Sequence, residues 1–217
     1  MINLLYKEFK LNINYFFVII IPLSCGALFL IPQWVFLVAF MYFFFISVPN
    51  ICNTCNAHND IGFTAIMPVC KSDIVKSKVF SFILIEIIHL LFGVVFGFIN
   101  LKLYKTENFL LNIDFPLFGF ALMMYGIFNL CFFPGYFKSA YFYGKPLIFA
   151  IIVSVLFATV VELFAIFVPL IHILFEGKES SQKLFQFVFF IISIIVFILL
   201  NIVTVKISNK RFESIDL

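Results

Sequence analysis

The chain has 217 residues, of which 64% are hydrophobic and only 12% are charged, and its mean hydropathy is +1.17. A soluble domain is about 45–50% apolar and about 25% charged, so the composition excludes a soluble protein and indicates an integral membrane protein. The five cysteines are odd in number and scattered along the chain, which argues against a disulfide framework.

The amino-terminal segment Ile2–Leu11 mixes apolar with charged residues. This pattern fits a short amphipathic helix that lies at the inner membrane interface. The alternative is a plain cytoplasmic start to the first span. We expect no cleavable signal sequence, because the apolar stretch that follows is long and lacks the usual small-residue cleavage site.

Six apolar stretches approach or exceed the roughly 20 residues that a helix needs to cross a bilayer. Continuous apolarity over such lengths predicts helices rather than barrel strands. The fold class is therefore an all-α integral membrane protein, with residues 1–217 forming one transmembrane domain. The six predicted spans are Ile13–Ile31, Trp34–Cys52, Val79–Leu101, Pro116–Phe133, Leu147–Ile171 and Phe185–Val205.

Lysine and arginine are distributed unequally between the two sides of these spans, and this bias predicts orientation. With the amino terminus inside, ten basic residues are cytoplasmic and four are outside, so both termini are predicted to be cytoplasmic. The net charge of +3 is then a property of the inner face, which indicates contact with anionic lipid headgroups rather than nucleic acid. The ten inner residues are Lys7, Lys10, Lys71, Lys76, Lys78, Lys138, Lys145, Lys206, Lys210 and Arg211, and the four outer ones are Lys102, Lys105, Lys178 and Lys183.

The one sizeable polar connection, residues 53–78, separates the second and third predicted spans. It predicts a short cytoplasmic helix from Asp60 to Met67, which Pro68 ends because proline disfavours helical backbone at the preceding residue. Ser72 and Asp73 then resemble a cap and an acidic first turn of the next span. This connection is therefore the segment best suited to bind a cytosolic partner.

No motif for catalysis is present. The sequence has no G-x-x-x-x-G-K-[ST] loop and no H-E-x-x-H pair, so we predict neither an ATPase nor any other enzyme in this chain. Cys52, Cys55 and His58 have the spacing of metal ligands, but structural zinc usually takes four ligands from two such clusters. Incidental polar residues at a helix end are the favoured interpretation, and no metal is predicted.

Three ionisable residues lie within predicted spans, where charge is expensive and usually faces the bundle interior or a water path. Glu86 and His89 are about one helical turn apart and share a face of the third span. Glu162 lies deep in the fifth span, which Pro169 should kink. These residues either line a translocation path or form internal hydrogen-bonded pairs that fix the packing.

Three stretches resemble a known family. They are residues 59–78 (NDIGFTAIMPVCKSDIVKSK), residues 133–145 (FPGYFKSAYFYGK) and the opening residues 4–9 (LLYKEF). They are similar to the permease subunits of type-2 ABC transporters, bacterial exporter branch, over essentially the whole chain. The sequence departs from the family pattern at Met67, where leucine is usual, and at Cys70, where serine is usual.

The resemblance implies an ATP-driven exporter subunit in the bacterial plasma membrane. A separate cytosolic ABC ATPase would use ATP and magnesium, while this chain would hold no cofactor. A second permease chain, identical or different, would complete the path, and the substrates would be amphipathic peptides, drugs or lipids. The candidate path residues are still Glu86, His89 and Glu162, which are chosen for their depth in the spans. The resemblance places ATPase coupling on Asp60, Ile61, Phe63, Thr64, Met67, Pro68, Lys71, Phe137 and Lys138.

Two interpretations from other classes compete with the exporter. One is a membrane scaffold or immunity protein that binds a partner without transporting anything. The other is a secondary transporter, which would favour internal repeats and paired broken helices, and no convincing repeat is found. Copurification of an ATPase would distinguish the exporter from the scaffold.

Overall fold

The computed structural model describes residues 2–13, 15–32, 35–104, 111–168, 174–175, 177 and 179–215, and no strand occurs among them. Helix α1, Ile2–Lys7, continues directly as the π-helical turn Glu8–Asn12. The later helices are α2 Tyr15–Leu28, α3 Phe36–Ala57, α4 Asp60–Ala65, α5 Lys71–Leu103, α6 Phe115–Lys138, α7 Gly144–Phe167 and α8 Ser180–Glu213.

Within the described residues, five helices are long and apolar enough to cross a membrane, namely α3 and α5 to α8. The all-helical membrane architecture is thus confirmed. Helix α2, at the position of the first predicted span, has 14 residues, or about 21 Å of helix, which is less than the roughly 30 Å hydrocarbon core. A sixth span in this region stays a prediction.

The helices α5 and α8 extend beyond the predicted spans and contain 33 and 34 residues. The extra turns, such as Lys71–Lys78, are polar. A search of the sequence for apolar stretches cannot find them, because it identifies only the part of a helix that lies in the hydrocarbon core. Their helical backbone satisfies its own hydrogen bonds in water as well as in lipid. Both helices therefore project past the apolar region.

Helix α6 is the centre of the bundle and packs against α7 and α8. Aromatic side chains fill its interface with the preceding helices. The ring of Phe128 stacks on that of Phe44 at a centroid distance of 4.1 Å and on that of Phe132 at 5.5 Å. Aromatic pairs with this geometry stabilise a core beyond their buried area, so the phenylalanine-rich composition becomes a packed interior here.

Residues from both ends of the chain meet at one end of the bundle. The Lys71 ammonium donates a hydrogen bond to the Ile215 carbonyl at 2.5 Å, and Lys7 pairs with Asp60. The amino-terminal helix, α4 and the carboxy-terminal turn therefore share one polar end. The placement of both termini in the cytoplasm stays a prediction.

Candidate functional site

Helix α4 follows α3 through a sharp turn at Asn59, whose φ of 47° lies in the left-handed region. Asparagine tolerates this conformation better than most residues. The next residue, Asp60, begins α4 and places a carboxylate at the positive end of the helix dipole. The helix ends at Ala65, two residues before the predicted end at Met67, in keeping with the restriction that Pro68 imposes on the residue before it.

The inner side of α4 is anchored by ion pairs. The Asp60 carboxylate is 3% exposed and accepts hydrogen bonds from Lys7 of α1 and, at 2.7 Å, from Lys78 of α5. Burial alone would raise the pKa of Asp60, but the charges of Lys78 and Lys7 and their hydrogen bonds lower it from 3.8 to about 2. Three helices are thus held together by one carboxylate.

Glu8 completes this ionic cluster, which consists of Lys7, Glu8, Asp60 and Lys78. The Glu8 carboxylate lies 3.1 Å from the Lys7 ammonium and 3.6 Å from the Lys78 ammonium, and it accepts a hydrogen bond from Asn12 at 2.9 Å. All four charged side chains are buried. Two cations and two anions compensate one another, which is the condition under which buried charge is tolerated.

Aromatic rings close the cluster on its other side. The Lys78 ammonium lies 4.4 Å from the ring centroid of Tyr141 and 5.9 Å from that of Tyr136. Cation–π attraction is strongest where water is excluded, and both rings are buried. Burial also raises the pKa of Tyr141, although the Lys78 charge opposes this shift, so the tyrosine is a neutral neighbour to the ammonium group.

The outer side of α4 is apolar and uncovered. Phe63 is 44% exposed, Ile66 in the following turn is 83% exposed, and Pro68 is exposed as well. Thr64, on the inner side with Asp60, is buried and donates its hydroxyl to the Asp60 carbonyl. The predicted coupling residues of α4 therefore divide into an anchoring side and a free side.

The other predicted coupling residues differ in their accessibility. Lys138 is exposed at the end of α6, whereas the neighbouring Phe137 is fully buried against the ring of Phe212 at 5.2 Å. Met67 and Lys71 are partly buried. The side chain of Ile61 lies outside the described part of the chain.

Glu86 lies in a second polar group, the amide cluster, formed with Asn129 of α6 and Asn201 of α8. The Asn129 amide donates to the Glu86 carboxylate at 3.1 Å and to the Asn201 carbonyl oxygen at 3.0 Å. Glu86 is 1% exposed and has no cationic partner within the described ranges. Neither its Oε1 nor the Oδ1 of Asn129 has a hydrogen-bond partner among the residues described.

His89 lies on the same helix as Glu86 but contacts different residues. One ring nitrogen lies 3.3 Å from the Ser47 hydroxyl of α3, and the other lies 2.9 Å from the Ile85 carbonyl oxygen. The Phe43 ring packs edge-on at a centroid distance of 5.4 Å. Glu86 and His89 are both buried, as their shared face predicts, but no hydrogen bond joins them.

Glu162 lies near the far end of α7, away from the ionic cluster. Its carboxylate accepts a hydrogen bond from the Leu111 backbone N–H at 3.3 Å, and its other oxygen is buried with no partner in the part of the chain that the structure describes. The side chain is 8% exposed. The predicted kink at Pro169 lies outside the described residues, beyond the end of α7 at Phe167.

The residues weighed as metal ligands are not brought together. Cys52 and Cys55 are buried, whereas His58 is exposed. Cys55 is instead grouped with Glu8 and Asp60, whose potential ligand atoms lie within 4.8 Å of one another. The Lys78 ammonium already contacts all three, at 3.4 Å from the Cys55 sulfur, so a resident cation of the protein itself occupies this group.

Sequence reasoning missed most members of both clusters. The sequence identifies Lys7 and Lys78 only as basic residues of the inner face, and it does not single out Glu8, Asn129 or Asn201. A usable signal existed for the asparagines, because an amide within a long apolar stretch needs a buried partner. For the ionic cluster no local pattern exists, since Lys7 and Asp60 are 53 positions apart.

These helices define a multi-pass membrane protein with a polar end built around one short helix. A family model described as an ABC-2 family transporter protein matches residues 3–213. The chain therefore belongs to this family and is an ABC-2 type transporter permease, a class of subunit that is not itself an ATPase. Neither the curated proteins nor the solved structures gave a significant match.

Proposed function

We propose that this chain is the membrane subunit of an ATP-driven exporter and that a separate cytosolic ATPase docks on the free side of α4. The observation that carries the proposal is the contrast in exposure along this short segment. Phe63 and the following Ile66 are exposed, while Asp60, at the start of the same helix, is buried and fixed to α1 and α5. An exposed aromatic group is the kind of residue that anchors protein interfaces.

The ionic cluster supplies the mechanical link in this proposal. A force applied to Phe63 passes through Asp60 to Lys78, two turns into α5, because the Lys78 ammonium donates a hydrogen bond of 2.7 Å to the Asp60 carboxylate. Lys7 passes the same displacement to α1. The polar helix ends thus move as one unit, and the helix α5 carries the motion into the membrane.

The test is the association of the ATPase with a Phe63→Ala variant. We expect copurification of the ATPase to fall by about tenfold or more, since loss of a central aromatic anchor costs about 2 kcal/mol or more, while membrane insertion is unchanged. Tyr6→Ala is the matched control, because Tyr6 is a 63% exposed aromatic residue of α1. Undiminished ATPase binding in Phe63→Ala would show that the ATPase does not dock on α4. The alternative of a membrane scaffold that does not transport would then be favoured.

The orientation is part of the same proposal. The basic residues of the polar end support its placement in the cytoplasm, because cytoplasmic loops are enriched in lysine and arginine. Both termini would then be cytoplasmic, and the chain would cross the membrane six times. In a cysteine-free background, single cysteines at positions 105 and 178 should react with an impermeant maleimide added outside, while cysteines at positions 72 and 138 should not. Labelling of position 72 from outside would reverse the orientation.

For the path, we propose that two permease chains enclose it and that amphipathic peptides, drugs or lipids pass outward through it. Of the three predicted path residues, Glu162 is the best candidate, because it lies on the peripheral helix α7 and one of its oxygens has no partner among the described residues. Glu86 and His89 are enclosed by neighbouring helices of the same chain, which favours the packing role.

A further inference from the structure

A groove of about 630 Å³ runs along the outside of the bundle between α5 and α8, within the range of about 300–1,000 Å³ that is typical of ligand sites. Its walls are apolar and open toward the lipid phase. Phe80 is 42% exposed, and Ile198 and Ile202 are 51% and 48% exposed. The groove follows α5 from Lys76 to Ile83, about 10 Å along the helix axis.

The mouth of the groove has a different character. Lys76 and Lys206 line it together with Ser72 and Asn209, at the polar end of both helices. Lys76 also pairs with Asp73 at 3.8 Å, but both side chains are more than 40% exposed, so this pair is weak. Lys206 has no ion-pair partner among the described residues, which leaves the mouth with a net positive charge.

Polar groups beside the lysines complete the mouth. The Asn209 amide nitrogen lies 3.4 Å from the Ser72 hydroxyl, and the Asn209 amide oxygen is buried with no hydrogen-bond partner among the described residues. A buried oxygen is out of reach of a ligand in the groove, so the headgroup contacts at the mouth come from the Ser72 hydroxyl and the two lysines.

We propose that this groove binds one anionic phospholipid from the surrounding leaflet, with its phosphate between Lys206 and Lys76 and one acyl chain along Phe80, Ile198 and Ile202. Charge complementarity selects the headgroup, because each lysine near the surface contributes attraction to an anionic lipid. The apolar walls select a chain-bearing ligand over a free phosphate. The site is independent of ATPase docking, since Phe63 does not line the groove.

A bound lipid would also stabilise the packing of α5 against α8. Asn201 lines the deep end of the groove and accepts a hydrogen bond from Asn129 of the amide cluster. An acyl chain seated there covers the seam between α5 and α8 next to this buried contact. A ligand that binds only the folded state stabilises it, so lipid occupancy should raise the thermal stability of the protein.

The experiment is native mass spectrometry of the detergent-purified chain with added dioleoyl phosphatidylglycerol or dioleoyl phosphatidylcholine. We expect one phosphatidylglycerol to be retained preferentially, and Lys206→Gln to weaken its binding about fivefold, the worth of one surface lysine. Lys145→Gln is the matched control, because Lys145 is an exposed lysine that does not line the groove. Ile202→Trp should fill the groove and reduce retention of both lipids.

Three results would overturn the proposal. They are equal retention of the two lipids, unchanged phosphatidylglycerol binding in both Lys206→Gln and Ile202→Trp, or binding of glycerol 3-phosphate as tight as that of the intact lipid. Lys206 is exposed, so its substitution leaves the fold intact and the headgroup test stays decisive even if Ile202→Trp is poorly expressed. A thermal shift on adding phosphatidylglycerol to the parent, absent in Lys206→Gln, provides the second measurement.

Discussion

The ionic cluster at the polar end and the amide cluster inside the bundle solve the same problem in opposite ways. The first buries two cations with two anions, and the second buries one carboxyl group among neutral amides. Removing one member of a compensated set leaves an unpaired charge, which is costly. Replacing the carboxyl group of the amide cluster by an amide leaves only hydrogen bonds to rearrange. The ionic cluster should therefore respond far more strongly to a neutral substitution.

The largest effect is expected for Lys78→Met. This change leaves Glu8 and Asp60 buried with Lys7 as their only described cation, and it should lower the free energy of unfolding by about 3–5 kcal/mol. Thermal unfolding in detergent measures the loss. Lys76→Met is the control two positions away, where a half-exposed ion pair is worth about 1 kcal/mol or less. Equal losses in the two variants would contradict a structural role for the cluster.

Asp60→Asn should have the next largest effect, about 1.5–3 kcal/mol, the value of hydrogen bonds to a charged group. It should also free α4 from α5 and so expose Cys55, which lies beside the Lys78 ammonium and is 1% exposed. The rate of Cys55 alkylation by a water-soluble maleimide reports this opening. Cys70 is already exposed and serves as the internal reference. An unchanged Cys55 rate would show that Asp60 does not hold α4 in place.

Substitutions of Glu86 should separate hydrogen bonding from charge. Glu86→Gln keeps an oxygen that can accept from the Asn129 amide, so stability should change by less than about 1 kcal/mol. Glu86→Leu removes the acceptor and should cost about 1–3 kcal/mol. Unfolding of both variants is compared with the parent. A large loss in Glu86→Gln would show that the carboxyl group is needed as a charge, as a translocation path requires.

Glu162→Gln should scarcely alter stability, by less than about 1 kcal/mol, because the amide oxygen can still accept from the Leu111 N–H. Export should fall or change in substrate preference if the proposed path passes this residue. Flux into inverted vesicles measures this, with ATPase binding as the control. Unchanged export would show that Glu162 does not line the path. Its role would then be structural, like that of Glu86.

The smallest effect on stability is expected when the pH is changed near neutrality. The pKa of Asp60 is lowered from 3.8 to about 2, so its stabilising contribution is present above pH 4 and is lost as the pH falls toward 2. The stability difference between the parent and Asp60→Asn should stay constant from pH 8 to pH 5 and shrink below about pH 4. A difference that fades already near pH 6 would show that the lysines do not control this carboxylate.

Local pattern predicted a large part of the fold. The apolar stretches around α5 to α8 are continuous, and length alone makes them membrane helices. The short helix α4 was also predictable, since Asp60 and Pro68 are local signals for its start and its limit. The end of α4 at Ala65 and the short α2 were not, because helix ends depend on the contacts around them as well as on sequence.

The candidate site shows the same division. The sequence by itself determined that residues 59–68 hold a short helix that begins at Asp60 and is limited by Pro68, because both signals are local in the chain. Only the tertiary structure decided that Asp60 faces inward to Lys7 and Lys78 while Phe63 stays uncovered. Electrostatic pairing acts through space over a few ångströms, and sequence distance carries no information about which charges meet. The same reason hid the contact between Glu86 and Asn129, whose helices are adjacent only after the bundle has packed.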